Sequence, residues 1–199
     1  MLEMLRDMKT ASKRAVALTR ELLAFSRRRM LRFDPVDLNE VLTRLRPHLG
    51  RVLGPHVQLV LELAPDLPRL MADADSLEWM LNHLCVNARD AMPQGGRWTL
   101  RTDWAPAGEP SGGDAAGGPC VCLSATDTGV GMPPEVVARV FDPFFTTKDV
   151  GQGNGLGLAA VYGLVKQQQG RVEVASQPGQ GSTFRILLPL AGPSAELPP

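Results

Sequence analysis

The decad GQGNGLGLAA, residues 151–160, constrains the fold more than any other stretch, because its position excludes the folds its pattern first suggests. Its second half, Gly155-Leu-Gly157-Leu-Ala-Ala160, matches the dinucleotide fingerprint G-x-G-x-x-A. That fingerprint closes the first strand of a βαβ unit, with most of its domain still to come. Here the polar TTKDV precedes Gly151 and only 42 residues follow Gly157, too few for a doubly wound sheet. A Walker A loop is excluded too, since no G-x-x-x-x-G-K-[ST] occurs in the chain. The decad is either another kind of phosphate cradle or a plain glycine connector, and its surroundings have to decide.

Those surroundings mix helices with antiparallel-type strands. From Met1 to about Met30 apolar residues recur at helical spacing: Leu5, Met8, Ala11, Ala15, Leu18, Leu22 and Phe25. One helix cannot bury such a stripe alone, so its partner is the rest of the chain, another copy or an upstream helix. RFDPVDL reads as a short strand with Pro35 at an edge, and Asp37 or Asn39 can cap a helix running to about Val52. HVQLVLELA alternates as a strand. Asp73 or Asp75 can cap a helix over 76–92 that ends at MPQGG. RWTLRTDW and CVCLSATD are strands separated by a Gly/Pro-rich loop. A short helix is expected within 133–150 and another over 156–169, before the closing strands GRVEVASQ and STFRILLPL. The expected class is α+β, a two-layer α/β sandwich preceded by a long N-terminal helix. The expected units are the helix at 1–32, a domain over 33–190 and a disordered tail at 191–199.

Composition narrows the function. Residues 1–32 carry nine Lys/Arg against three Asp/Glu, yet their one aromatic residue, Phe25, belongs to the apolar stripe and none is interleaved among the basic residues for base stacking, so a solvated helix face is favoured over nucleic-acid binding. No apolar run approaches the roughly 20 residues that span a bilayer, and no secretory signal is expected. Cys85, Cys120 and Cys122, with His48, His56 and His83, show no zinc spacing, which fits buried thiols in a reducing cytoplasm.

Three further segments bear on the decad. In LEWMLNHLCVNARDAM, Leu77, Leu81, Leu84 and Ala88 form an apolar face. His83 and Asn87, one turn apart, project from another. A neutral amide oxygen can serve as a single ligand for Mg²⁺, which keeps several waters when it binds phosphates; an ordinary satisfied amide is the alternative. DTGVGM follows an apolar strand, where a carboxylate can accept a hydrogen bond from an exocyclic amino group and glycines let the backbone pass close beneath a flat ring. GQGST, residues 179–183, is by itself only a hairpin turn.

Taken in order, these segments carry a resemblance. Residues 33 to 190 resemble the catalytic and ATP-binding domain of sensor histidine kinases, in the superfamily shared with type II topoisomerase and mismatch-repair ATPases. NARDAM is similar to the N box, DTGVGM to the G1 box, FDPFFTTK to the F box, GQGNGLGL to the G2 box and GQGSTF to the G3 box. The resemblance implies a Bergerat-type sandwich of a mixed sheet against three helices, with ATP as ligand and Mg²⁺ beside it. Asn87 would coordinate Mg²⁺, Asp127 would bind the adenine amino group, and Gly129 and Gly131 would shape the adenine floor. Gly153, Gly155 and Gly157, with Leu156 among them, would present amides to the phosphates at a helix N-terminus. Asp90 and Thr183 fall within the same boxes and join the nucleotide-binding set. Residues 133–152 would form a lid from which Lys148 could reach a phosphate, a solvated lysine being the alternative. Phe141, Phe144 and Phe145 are either the lid's hinge and docking surface or ordinary core packing. His83 is the candidate catalytic side chain, although it replaces a water-activating Glu of related ATPases and matches that role poorly.

RAVALTRELLAFSRRRML resembles the second helix of the dimerisation and histidine-phosphotransfer domain, which implies a homodimer through the N-terminal helix and a response regulator receiver domain as partner. None of the three histidines lies in an acceptor motif beginning H-[DE] or H-x-x-N-P. The expected activity is therefore transfer of the γ-phosphate to a histidine not present in this chain, with the sequence read as a truncated kinase. The expected location is cytoplasmic, including as the cytoplasmic part of a larger membrane-anchored kinase. An ATP-binding adaptor, or an ATPase of the same superfamily without kinase activity, are the alternatives.

Overall fold

The structure, a computed structural model, describes residues 32–105, 119–148 and 153–190. The N-terminal helix, the Gly/Pro-rich loop, Gly151 and the tail therefore fall outside the described residues.

The described elements, in chain order, are β1 (Asp34–Val36), α1 (Leu38–Leu53), β2 (Val57–Glu62), β3 (Leu70–Ala72), α2 (Ala74–Ala91), β4 (Gly96–Ala105), β5 (Cys120–Asp127), α3 (Pro134–Val137), α4 (Gly157–Gln167), β6 (Arg171–Ser176) and β7 (Ser182–Pro189). Five strands form one sheet in the order β2-β4-β5-β7-β6. β2 and β4 run parallel, and the other neighbours are antiparallel. The class read from the sequence, a mixed sheet layered against helices, is the one observed. The small β1–β3 ribbon stands apart as an antiparallel pair. β3 is absent from the sequence reading: three residues show no alternation, and unlike β1 with its Pro35 it holds no residue that marks an edge strand.

Alternation explains how the sheet takes its helices. On β4 Trp98, Leu100 and Thr102 are buried, on β5 Val121, Leu123, Ala125 and Asp127, and on β7 Phe184, Ile186 and Leu188. All share the period-2 face. Against it lies α2, whose Leu77, Met80, Leu81, Leu84 and Ala88 are buried at helical spacing. α1 packs on α2 and β2, and α4 packs on α2 and β6. α2 is thus the central helix: Glu78 and Asn82 on one side meet Arg44 and His48 of α1, and another side faces α4.

The helix starts settle two alternatives left open by the sequence. Asp37, not Asn39, caps α1 by accepting from Glu40 N, and Asp73, not Asp75, caps α2 by accepting from Ser76 N at 2.7 Å. Asn39 does something else. Its Nδ2 donates to Ala64 O (2.8 Å), Ala64 N donates to Thr102 Oγ1 (3.0 Å), and Thr102 Oγ1 donates to Asn39 Oδ1 (2.9 Å). This closed triangle ties the start of α1 and the segment just after β2 to an otherwise apolar row of β4. Thr102→Val keeps the shape but strands the Ala64 amide and the Asn39 oxygen. It should cost about 1–3 kcal/mol, read as a lower urea midpoint at constant slope, with Thr102→Ser recovering most of the loss.

Candidate functional site

A cavity of about 770 Å³ opens between α2, the end of β5 and the segment before α4. That volume suits a ligand of nucleotide size. Of the residues singled out from the sequence, His83, Asn87, Asp90, Asp127, Gly131, Lys148, Gly153, Gly155 and Gly157 line it. Gly129, Leu156 and Thr183 are not among its lining residues. Leu156 is buried, and Thr183 is held by a 3.0 Å hydroxyl contact with Thr126 on the neighbouring strand. Ser182, one residue before Thr183, lines the cavity instead.

The floor is built on Asp127. Its Oδ1 accepts from Gly129 N (2.9 Å) and Ser182 N (3.2 Å), so one carboxylate oxygen joins the turn after β5 to the start of β7. Burial pushes the Asp127 carboxyl above its ordinary range, and these backbone donors only partly offset that. The turn is pinned elsewhere too. Val130 N donates to Ala91 O at the end of α2, and Gly179 N donates to Val130 O from the β6–β7 hairpin. Ser176 Oγ accepts from Met132 N and donates to Gly181 O, both at 2.8 Å. Gly131 has φ +65°, and a β-carbon there would lie 1.9 Å from Gln177 O. Only glycine permits the turn to lie this close to the hairpin. A β-carbon on Gly129 would lie 2.4 Å from Ala91 O, so that residue is fixed by the end of α2.

The opposite wall is assembled around Gly155. Phe144 and Gly155 both hold positive φ, +67° each, and Phe144 N donates to Gly155 O at 3.0 Å. Asn154 Oδ1 accepts from Leu156 N, turning the chain into α4, whose start carries no side-chain cap. At the helix crossing, a β-carbon on Gly157 would meet His83 Nδ1 at 3.0 Å, and the His83 ring rests on Trp79 with centroids 3.7 Å apart. The three phenylalanines separate. Phe141 packs near Tyr162 and Phe184, Phe145 lines the cavity beneath the Arg139 guanidinium, and Phe144 is 63% exposed. They are neither one docking cluster nor one piece of core.

At the other end of the cavity Asp90 Oδ2 receives Lys148 Nζ (2.5 Å), while Oδ1 receives Arg89 Nε and Nη2 (3.0 and 2.7 Å). Burial alone would raise this carboxyl, but the Lys148 and Arg89 donors outweigh it and hold it below the ordinary range. The side chain of Asn87, one turn before, has no hydrogen-bond partner among the described residues. Those residues contain no group of three or more His, Cys, Asp or Glu able to hold a metal ion. Arg89, Asn154, Ser176 and Ser182 escaped the sequence reading. Arg89 adjoins Asp90 in sequence, and Asn154 sits at a turn position before a helix, but nothing local marks the two serines.

Against known proteins, residues 72–192 match the family model described as histidine kinase-, DNA gyrase B- and HSP90-like ATPase. The chain belongs to that family, and its domain is an ATP-binding one. The Brucella abortus sensor kinase CckA is 44% identical over 186 residues, covering 92% of this chain and 20% of that protein. The Rhodobacter capsulatus sensory histidine kinase/phosphatase NtrB is 32% identical over 181 residues, covering 90% of this chain and 50% of that protein. Among solved structures, full-length ShkA in complex with AMPPNP superposes with a TM-score of 0.71 at 27% identity, covering 94% of this chain and 37% of that one. The mycobacterial sensor histidine kinase MprB gives 0.63 at 28% identity, covering 79% and 97%. The chain spans between a fifth and a half of the length of these curated relatives. None of the described helices is long and apolar enough to cross a membrane.

Two outcomes follow from this geometry. A β-carbon on Gly155 would lie 2.3 Å from the Phe144 backbone carbon at φ +67°, so Gly155→Ala should break the Phe144–Gly155 bond. Local strain of about 1–3 kcal/mol is expected. Faster hydrogen exchange at the Phe144 amide, with β5 amides still protected, is the readout; unchanged exchange there refutes the account. Because the native Asp127 carboxyl titrates above the unfolded value of about 3.9, its ionised form costs stability that the protonated form does not. Asp127→Asn should therefore melt no lower than the wild type at pH 7, with any advantage shrinking as pH falls through the raised native value toward 4.

Proposed function

We propose that this chain is the ATP-binding catalytic part of a sensor histidine kinase, delivering the γ-phosphate of Mg²⁺-ATP to a histidine other than its own three, for relay to a response regulator receiver domain. The observation that carries the reading is one cavity walled by Asn87, Asp127 and the start of α4. In this reading the adenine amino group donates to Asp127 Oδ2, since both recorded bonds to the side chain use Oδ1. Gly131 belongs to the adenine floor, with Gly129 supporting it from behind. The uncapped amides of α4, with Gly153, Gly155 and Gly157, face the phosphates, where the helix dipole favours negative charge. Leu156 anchors that helix start in the core, and Thr183 steadies the strand beyond Ser182.

The donor set fits Mg²⁺. One unpartnered amide oxygen without a carboxylate cluster suits an ion that arrives on a triphosphate and retains its waters. When bound, the ion supplies charge neutralisation on the phosphates. The protein's share is positioning and electrostatics, because in-line phosphoryl transfer asks little covalent chemistry of it. His83, against Gly157 at the phosphate end, is the catalytic candidate; an attacking imidazole needs no activated water, so a steric and orienting part suits it better. Lys148 and Asp90 complete that end.

The proposed organisation is a partial dimerisation helix over 1–32, the catalytic domain over 33–190 and a tail over 191–199. The whole kinase would be a homodimer through that helix, with this part in the cytoplasm. The named sensor kinases among the relatives support this reading over an adaptor or a simple ATPase.

Calorimetry with ATP and Mg²⁺ tests it. Asp127→Asn is expected to weaken binding about tenfold to a hundredfold, the loss of a hydrogen bond to a charged group. Asn87→Ala, which removes the amide oxygen, should abolish most of the gain in affinity that Mg²⁺ provides. Labelled ATP supplied together with a separate histidine-bearing helix should place label on that helix; label on this chain alone would contradict the assignment, and no ATP binding at all would remove it.

A further inference from the structure

The phosphate end of the cavity has an unusual charge arrangement. The cationic side chains in its lining are Arg89 and Lys148, and both rest on the same carboxylate, Asp90. A triphosphate arriving there meets two cations already engaged and one acid that repels it. The two cations are not held alike. Arg89 is the sequence neighbour of Asp90 on α2 and donates twice to one oxygen. Lys148 reaches across from the segment before α4, 58 residues away in sequence, by a single contact of its ammonium group. Its long stem can swing without moving a helix, and it gives up one contact where Arg89 would give up two.

We propose that Asp90 is a latch residue that holds Lys148 until a terminal phosphate displaces it, so that the exchange of Lys148 from carboxylate to phosphate limits how far this site favours ATP over shorter adenine nucleotides. The inference rests on the ATP reading above and adds the residue that makes triphosphate binding conditional. Asp90 acts through Lys148 and is a positioning residue. Several observations support it. The Lys148–Asp90 pair is partly sheltered, with side chains 32% and 27% exposed, and therefore less screened than an ordinary surface pair. Lys148 is also positioned to be a moving part: its own amide bonds Thr146 Oγ1, and its stem lies 3.1 Å from where a β-carbon on Gly153 would stand. A lysine moving toward the glycine segment therefore stays within the cavity. Arg89 remains on Asp90 after the exchange and keeps the freed carboxylate from facing the phosphate unpaired.

A double-mutant cycle decides it, with Asp90→Asn, Lys148→Met, the pair and the wild type each titrated by ATP, ADP and adenosine in displacement of a fluorescent adenine nucleotide. With Lys148 present, Asp90→Asn should tighten ATP roughly threefold to tenfold, the range of a sheltered charge pair. The gain should be smaller for ADP and absent for adenosine, and below about twofold in the Lys148→Met background. An equal or larger gain in that background would mean plain repulsion by Asp90 and overturns the latch. Weaker Mg²⁺-ATP binding in Asp90→Asn would make Asp90 a ligand contact and overturns it too. Adenosine separates the two levels: if it binds while the coupling is nil, the latch falls and the nucleotide reading stands; if no adenine compound binds the wild type, both fall.

Discussion

The cavity depends on one buried carboxylate. Asp127 closes β5 on the core face of the sheet, 4% exposed, and its Oδ1 takes the amides of Gly129 and Ser182. Burying a charge this deeply is unfavourable unless donors surround it, and the raised carboxyl shows that the donors here compensate only in part. What the interaction provides is geometry. A single oxygen fixes the turn after β5 against the hairpin before β7, and the Ala91, Val130, Gly179 and Ser176 bonds follow from that approach. Remove the approach and the floor has no defined height.

The two ends of the cavity use the same side chain in opposite ways. Asp127 has backbone donors and no cation, and is driven up by burial; Asp90 has two cations, and is held down. The first is an acceptor with capacity left for a neutral donor such as an amino group. The second is saturated by charge and can change partners only by exchange. α2 connects them, since its end bonds the turn beside Asp127 while its exposed face carries Asn87 and Asp90.

Much of this was legible in the residues. Strand-like runs, one of them clearly alternating, located the five strands of the main sheet, caps and helical patterning located α1, α2 and α4, and the residues of the ordered boxes, Asn87, Asp127 and the start of α4, meet at one cavity. Local patterns could not show β3, which is too short for a period. Nor could they separate Asp37 from Asn39 as a cap, because both are good caps and only the partners of Asn39, Ala64 just after β2 and Thr102 on β4, decide between them. The three phenylalanines look alike in sequence, yet one packs inward, one lines the cavity and one is held outward by a left-handed backbone.

The sequence by itself determined the class of fold and the family, because periodicity and glycine spacing are local properties that survive without coordinates. The tertiary structure decided which atoms meet. That Gly131 lies under Gln177, that Ser182 rather than Thr183 lines the cavity, and that Lys148 and Arg89 share Asp90 are contacts between segments far apart in the chain. Such contacts are set by strand register and by the crossing of α2 with α4, and no local pattern encodes them.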